Sequence, residues 1–323
     1  MASTRIKVAA ALAIPTLLLT ACGGQNESGT DSAASGGAAA SGEVRVDGSS
    51  TVGPLTAAAG ELFKATPEGA GVNISVGQSG TGGGFKKFCA GETDISDASR
   101  PIKDEEAAAC ADAGVEYAEI AVANDALTVV VNKENDWAKC LTVAELNKMW
   151  APEAEGTITN WNQVRDGFPD VPLELFGAGT DSGTFDYFTD VINGEEGASR
   201  TDYNPTEDDN VTVTGVEGTK GALGYFGFSY YEENMDKLTA VEIDNGAGCV
   251  APSSQTAQDG TYAPLSRPLF IYPSKSAMQR PEVAAFVDFY VNNDAAVTEK
   301  ALFVPLSAEQ QQAAKDALAS LVG

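Results

Sequence analysis

Three segments of the sequence repeat one pattern, in which a strand-like run leads through glycine and hydroxyl residues into a helix-like run. They are VRVDGSSTVGPLT (44–56), VNISVGQSGTGGGFKKFC (72–89) and LELFGAGTDSGTFDYFTDVING (173–194). Strand-like and helix-like runs also alternate along the rest of the chain, which favours an α/β architecture. Because the carboxyl ends of sheet strands converge on one crevice in such folds, we expect the three loops to lie close together.

These loops carry groups that hold an anion without positive charge. Free backbone N–H groups at a helix start, together with the positive end of the helix dipole, attract negative charge. Glycine lets the backbone approach a ligand closely, and hydroxyl groups add donors. In the first loop, Ser50 or Thr51 is expected to cap the helix. Plain helix capping is the alternative interpretation of each loop.

A fourth segment, GETDISDASRPIKDEE (91–106), adds a cation after a predicted strand. It places Ser99 and Arg100 before a proline, and a guanidinium can bind an oxyanion through two parallel hydrogen bonds. The alternative is a surface arginine paired with Asp97 or Asp104.

Charge and composition exclude several functions. The chain has 46 acidic and 20 basic residues and no histidine. Nucleic acid is therefore not an expected partner, since its phosphates need a basic surface. Without histidine, neither a Ser-His-Asp relay nor a zinc site is expected, and no metal or cofactor is predicted.

The first 21 residues are predicted to be an export signal. Arg5 and Lys7 precede an apolar run that is too short to span a bilayer and that ends in LTAC (19–22). This ending resembles the lipobox of bacterial lipoproteins, in which Cys22 becomes the lipidated first residue, and an ordinary signal peptide is the alternative. Lipid chains on Cys22 would hold the protein on a membrane surface. Residues 22–43, rich in Gly, Ser and Ala, are predicted to be a flexible tether.

Four further cysteines, Cys89, Cys110, Cys140 and Cys249, predict two disulfides in an exported chain. Three connectivities are possible, and we favour Cys89–Cys110 with Cys140–Cys249.

Helix boundaries are marked at three places later in the chain. Thr142 with Glu145, and Ser307 with Gln310, have the spacing of a capping box. Pro281 is expected in the first turn of a third helix.

The loops and several neighbouring segments together resemble one family. GSSTVGPLT, SGTGGGFKKFCAGETDISDASRPI, VAND…LTVVVN, LTVAELNKMW…ITNWNQV, GTDSGTFDYF, GALGYFGFSYY and PLSRPLFIYP are similar, in this order, to segments of PstS-type phosphate-binding proteins. These are the solute-binding components of bacterial phosphate ABC importers. The similarity runs from Val44 to Phe303, nearly the whole chain after the predicted leader.

The resemblance implies a two-lobed periplasmic-binding-protein (type II-like) fold with a two-segment hinge and a ligand cleft between the lobes. Lobe 1 would comprise residues 44–125 and 268–323, and lobe 2 residues 126–267. The chain would cross between the lobes near 122–131 and 264–272. Each predicted disulfide would then lie within one lobe and leave the hinge free to bend.

Carried over by motif, the phosphate ligands would come from all four segments. They are Ser50, Thr51, Ser79, Thr81, Ser99, Arg100, Asp181, Ser182, Gly183 and Thr184. Many relatives have an arginine shortly before the SGT segment and Ser-Asp at the position of Ser99-Arg100. We therefore expect Arg100 to supply the cation. The carboxylate that accepts the phosphate proton would come from Asp181 or Asp97, with Asp125 a weaker candidate.

The predicted function is capture of inorganic phosphate and its delivery to the permease subunits of an ABC importer. The protein would be a monomer, anchored by lipid to the outer face of the cell membrane. Alternatives are binding of sulfate or another tetrahedral oxyanion, a phosphatase-like enzyme, and a surface adhesin. A carboxylate in the site would separate the first two, because hydrogen phosphate carries a proton to donate and sulfate does not.

Overall fold

The structure is a computed structural model and describes residues 41–323. The predicted signal peptide, Cys22 and most of the predicted tether lie outside these residues. The tether prediction is wrong at its end, because residues 41–43 already belong to the first strand and pair with residues 71–73. No helix within residues 41–323 has the length and apolar character needed to cross a bilayer.

Twelve strands occur in the described part of the chain. They are β1 (Ser41–Gly48), β2 (Gly71–Gly77), β3 (Ile95–Ala98), β4 (Ile120–Asn132), β5 (Cys140–Thr142), β6 (Glu174–Ala178), β7 (Asn204–Thr206), β8 (Ala222–Gly227), β9 (Leu238–Ala240), β10 (Glu242–Asp244), β11 (Cys249–Val250) and β12 (Ser266–Pro273).

Eleven α-helices accompany them over the same residues. They are α1 (Gly53–Lys64), α2 (Thr81–Cys89), α3 (Asp104–Asp112), α4 (Val143–Trp150), α5 (Gly183–Phe188), α6 (Asp209–Gly218), α7 (Phe228–Glu233), α8 (Ser254–Gln258), α9 (Pro281–Asn292), α10 (Asp294–Ala301) and α11 (Ala308–Val322).

Nine strands form one mixed sheet in the order β2-β1-β3-β12-β4-β8-β6-β7, with β9 also paired to β4. β4 runs through the whole arrangement, because its residues 120–126 pair with β12 and its residues 127–131 pair with β8. A run of thirteen residues buried almost throughout explains this long central strand. β5, β10 and β11 form a separate small sheet.

Two large hydrophobic cores lie on either side of this crossing. One is built from residues 44–123 and 269–321, around Phe63, Phe286 and Tyr290. The other is built from residues 127–265, around Trp150, Trp161 and Tyr225. We call the parts that surround these cores the first half and the second half, with β4 and the start of β12 as the crossing strands.

Local signals place several helices as predicted. The Thr142 hydroxyl accepts the Glu145 N–H, and the Glu145 carboxylate accepts the Thr142 N–H. The second capping box forms in the same way at the start of α11, and α9 begins at Pro281.

Both favoured disulfides are present. Cys89 joins Cys110 within the first half, and Cys140 joins Cys249 within the second half. The second pair links β5 to β11 in the small sheet. Neither disulfide ties one half to the other.

Candidate functional site

A cleft of about 550 Å³ lies where strands of the first half end and face the second half. The loops after β1, β2 and β3 supply one wall, α5 and the segment after it supply the opposite wall, and β12 contributes one arginine. The lining residues are Ser49, Ser50, Thr51, Ser79, Gly80, Thr81, Gly82, Gly83, Ser99, Arg100, Lys103, Asp186, Tyr187, Asp190, Glu196 and Arg267. Of the three loops expected to converge, the first and second both line the cleft, whereas the third segment contributes only residues after its helix start, Asp186, Tyr187 and Asp190.

The first loop reaches the cleft through Ser49, Ser50 and Thr51. The Ser49 hydroxyl accepts the Thr51 N–H at 3.2 Å, and the Ser49 N–H donates to the Asp97 carbonyl at 2.9 Å. The predicted cap is wrong, since α1 begins at Gly53 with Val52 as its N-cap and with no side-chain cap bond. Because the Thr51 N–H is bonded to Ser49 within the loop, the helix begins only after Thr51. The side chains of Ser50 and Thr51 therefore line the cleft.

The second loop is shaped by glycine. Gly80 is the N-cap of α2 and has φ of 75°, a left-handed conformation that favours glycine. Gly84 lets the helix pack tightly, because a Cβ there would lie 2.5 Å from the Gly48 Cα. The first turn of α2 is Thr81, Gly82 and Gly83, whose backbone N–H groups precede the helical hydrogen-bond ladder.

A buried carboxylate fixes the start of this loop. Asp47 accepts the Ser79 N–H at 3.1 Å, the Ser79 hydroxyl, and the Lys87 ammonium at 2.6 Å. Burial raises the pKa of Asp47, but the hydrogen bonds from Lys87 and Ser79 outweigh it and hold that pKa below its usual value. Asp47 therefore remains ionised and neutralises Lys87.

The loop after β3 is joined to the second loop. The Ser99 N–H donates to the Thr81 hydroxyl at 3.2 Å, and the two hydroxyls are 3.1 Å apart. Arg100 lines the cleft, but its guanidinium donates to both carboxylate oxygens of Glu106 at 2.8 Å. It pairs neither with Asp97 nor with Asp104, the partners considered from the sequence. Part of its charge is therefore already neutralised.

Arg267 and Lys103 are the cleft-lining cations that sequence reasoning missed, and Arg267 lies on a crossing strand. It lies directly opposite Asp125 in the ladder between the crossing strands, and its Nε donates to the Asp125 carboxylate at 3.3 Å. One Nη donates to the Thr51 hydroxyl at 3.2 Å. The signal was available, because Arg267 is the arginine of the segment PLSRPLFIYP at the predicted crossing.

The third loop lies differently from the other two. Ser182 caps α5 by accepting the Thr184 N–H at 3.2 Å, as in plain helix capping. Gly183 packs against the first loop, since a Cβ there would lie 2.9 Å from the Thr51 hydroxyl oxygen. Asp181 is exposed, and its backbone N–H donates to Glu207. Asp181 through Thr184 are not among the cleft-lining residues, and Thr184 lines a separate cavity of about 210 Å³ that also contains Asp125.

The second half instead presents acidic and aromatic side chains to the cleft. Asp186 and Tyr187 come from α5, followed by Asp190 and Glu196. Burial is the main cause that raises the pKa of Asp186, and the nearby negative charge of Glu196 adds to it while Arg267 opposes it. Asp186 lies one helical turn after the cap Ser182, beyond the loop residues that the sequence predicted to bind the ligand.

The other two sequence-predicted carboxylates are buried. Asp97 is fully buried and accepts the Thr56 hydroxyl at 2.8 and 3.0 Å. Burial, opposed by Thr56 and reinforced by Asp47, raises the pKa of Asp97 to about 8. Burial also raises the pKa of Asp125, against the opposing charge of Arg267. Neither residue is among those that line the cleft.

This arrangement suits the binding of a small anion that carries a proton. Hydroxyl groups, first-turn amides and two guanidinium groups offer donors from one side. Carboxylates face them from the other side and accept only from a ligand that donates. For covalent chemistry the serines lack a histidine base, since the whole sequence contains none.

Comparison with known proteins assigns the chain to a family. A model described as "PBP superfamily domain" matches residues 33–294. Protein SphX of Synechocystis sp. is 51% identical over 267 residues, which cover 82% of this chain and 79% of the relative. Phosphate-binding protein PstS of Staphylococcus saprophyticus is 36% identical over 310 residues, covering 95% and 92%.

A solved structure gives the same result. The crystal structure of a possible phosphate binding protein from Planctomyces limnophilus superimposes with a TM-score of 0.83 at 47% identity, covering 88% of this chain and 100% of that one.

The α/β fold, with a polar cleft beside its crossing strands, defines a solute-binding protein of the periplasmic-binding-protein class. The chain belongs to the PBP superfamily and, within it, to the family that contains Protein SphX and the phosphate-binding proteins PstS. This is a family of solute-binding proteins and not a class of enzymes.

Proposed function

We propose that this protein binds inorganic phosphate in the cleft and delivers it to the permease subunits of a phosphate ABC importer. The observation that carries the proposal is the convergence of three donor loops and Arg267 on one cavity. The printed names of the PstS relatives, phosphate-binding proteins, agree with this ligand.

The donors divide by loop. Ser50 and Thr51 donate from the first loop, and Thr81 and the glycine amides donate from the second loop. Ser79 holds the second loop in place, because its hydroxyl and its N–H both donate to Asp47. Ser99 completes the cradle. These groups are neutral, so they bind the anion within a chain whose formal net charge is −26.

Arg267 is the principal cation of the proposed site and Arg100 the secondary one. Arg267 has a single carboxylate bond, at 3.3 Å, whereas Arg100 has two at 2.8 Å. The longer, monodentate contact leaves more of the Arg267 guanidinium to a ligand. In this proposal the ligand is not contacted by Ser182, Gly183 or Thr184. They contribute indirectly, because Gly183 packs against Thr51.

Asp186 is the proposed acceptor of the phosphate proton, in place of Asp181, Asp97 or Asp125. It lines the cleft, and the side chain carries no hydrogen bond within the described residues. Hydrogen phosphate can donate to this carboxylate, whereas sulfate would bring two acceptors together without a proton. The same contact therefore disfavours the sulfate alternative.

The two halves are the proposed lobes, residues 44–125 with 268–323 and residues 126–267. The cleft residues come from both, so a ligand that contacts both walls favours a closed arrangement. The crossing strands β4 and β12 are the proposed hinge.

In the cell, we propose a monomer anchored through lipid on Cys22 at the outer face of the membrane. The lipobox-like LTAC sequence supports the anchor. Residues 22–40 would connect the lipid anchor to the folded part, which would bind the permease.

Calorimetry with phosphate and sulfate on the protein without residues 1–22 tests the proposal. We expect phosphate to bind at micromolar or lower concentration and sulfate to give no comparable signal. Equal affinities would support the general oxyanion alternative, and the absence of phosphate binding would reject the proposal. Turnover of a chromogenic phosphate ester above background would support the enzyme alternative.

A further inference from the structure

A second polar cavity, of about 220 Å³, lies in the first half at the opposite end of β3 from the cleft. Thr93 and Asp94 precede β3, whereas Ser99 follows it on the cleft side. Four strand residues at ~3.3 Å each separate the two ends by about 13 Å. The residues that line this cavity are Arg45, Phe88, Gly91, Thr93, Asp94, Val115, Ser274, Ser276, Ala277 and Arg280.

Asp94 holds two arginines at this cavity. Its carboxylate accepts Arg280 Nη2 at 2.7 Å, the Arg45 backbone N–H at 2.8 Å, and Arg45 Nη2 at 3.3 Å. Both carboxylate oxygens are thereby used, and Asp94 is buried at 4% exposure. One carboxylate thus orients two guanidinium groups that retain further N–H donors.

Two polar atoms of the lining are buried without a hydrogen-bond partner among the described residues. They are the Thr93 hydroxyl oxygen and Arg280 Nε. Glu282 approaches Arg280 Nε only to 3.5 Å, without hydrogen-bond geometry. Buried polar atoms normally have a hydrogen-bond partner. Two unpartnered atoms around one cavity therefore indicate that a bound group supplies the partner.

We propose that this cavity binds one small tetrahedral oxyanion, independently of the phosphate site in the cleft. The unused groups are predominantly donors, and Ser274 and Ser276 add hydroxyls that can donate. Asp94 and, beside the lining, Glu282 balance the charge of the two guanidinium groups, so the excess of N–H and O–H donors is what favours a negative occupant. Four oxygens around one centre let a single anion reach both arginines and Thr93.

Sulfate is the appropriate probe, because the cleft is proposed to exclude it. Equilibrium dialysis of radiolabelled sulfate at millimolar concentration, in buffer of constant ionic strength, measures the number of anions bound per chain. We expect one sulfate per chain, with phosphate competing for the same site. In a phosphate titration of the unmodified protein, a second, weaker equivalent should follow the first.

Thr93→Val and Arg45→Gln are the test variants. Thr93→Val replaces an unpartnered hydroxyl by an apolar group of similar shape, so it should leave melting without sulfate unchanged or slightly raised. We expect it to weaken sulfate about tenfold, the effect of one hydrogen bond to a charged group. Arg45→Gln should weaken sulfate more, and both variants should retain tight phosphate binding.

Arg267→Gln, in the cleft, is the matched control and should not change sulfate binding. Sulfate that fails to bind the unmodified protein overturns the inference. So does sulfate that is lost with Arg267→Gln and unaffected by Thr93→Val and Arg45→Gln, because it would then occupy the cleft. Neither result depends on tight phosphate binding, so the proposed function is judged separately.

Discussion

The guanidinium carbon of Arg267 lies 3.5 Å from the centre of the Tyr187 ring. This contact joins a crossing strand to the helix that forms the far wall of the cleft, and the Tyr187 hydroxyl donates back to the Pro264 carbonyl at 2.7 Å. A desolvated cation–π contact is worth ~2 kcal/mol. Arg267 is therefore held by Tyr187, Asp125 and Thr51 in a position that faces both walls.

Replacement of Arg267 by Gln should weaken phosphate binding by about thirtyfold or more, because loss of a buried charged contact to an anion costs at least ~2 kcal/mol. Arg100→Gln should cost less, since Glu106 already binds that guanidinium at two points. Calorimetry measures both. Arg165→Gln, which removes an arginine paired with Glu145 away from the cleft, is the control. A larger loss with Arg100 than with Arg267 would contradict the assignment of the principal cation.

Asp186→Asn should reduce the preference for phosphate over sulfate, because the amide offers a donor where the carboxylate only accepts. We expect phosphate to bind the cleft more weakly and sulfate to compete for the cleft more strongly, each affinity changing about tenfold as for a single hydrogen bond. Competition titrations with the two anions measure the ratio. Asp181→Asn, an exposed carboxylate outside the cleft, should leave the ratio unchanged. An altered ratio with Asp181 alone would restore that residue as the proton acceptor.

Gly183→Ala should weaken phosphate binding about tenfold. The added Cβ would lie 2.9 Å from the Thr51 hydroxyl oxygen and 3.3 Å from the Thr51 backbone nitrogen, and crowding of this kind costs ~1–3 kcal/mol. The displacement would fall on a residue that donates in the cleft. Gly218→Ala is the control, because a Cβ at Gly218 meets no atom within 4 Å. Unchanged affinity in Gly183→Ala would show that the two loops separate in the bound form.

Asp97→Asn should flatten the dependence of stability on pH. Burial raises the pKa of Asp97 to about 8 from an ordinary 3.8, so between these values the native chain holds a proton that the unfolded chain has lost. The free energy of unfolding then falls as pH rises through this window, by up to ~1.4 kcal/mol per pH unit from this group, and levels off above it. Urea unfolding from pH 5 to 9 measures the slopes. Parallel curves for the two proteins would show that Asp97 ionises normally.

The sequence was sufficient for some features that depend on neighbouring residues. The capping boxes at Thr142 and Ser307 follow from residues three positions apart. The disulfide pairing agreed with the favoured one of three connectivities.

Some of the features that were missed depend on distant residues. Arg267 reaches the cleft only because β12 pairs with β4 and sets it opposite Asp125, 142 positions away in sequence. The loop before α1 is also held by a distant residue, because the Ser49 N–H donates to the Asp97 carbonyl. The pairing of Arg100 with Glu106, six positions away, is a local contact that the sequence interpretation missed. A guanidinium can find several carboxylates in so acidic a chain, and only the fold selects among them.

The ladder of β4 with β12, whose register shifts once between Leu269 and Phe270, also limits how this protein can change over evolution. Both connections between the halves are extended strands that pair with each other, so an inserted or deleted residue in β4 would turn every later side chain to the opposite sheet face. Length variation that a surface loop tolerates would here invert the packing of a whole core. Descendants with new ligand preferences must therefore arise by exchange of side chains at the strand ends, while the crossing keeps a fixed number of residues.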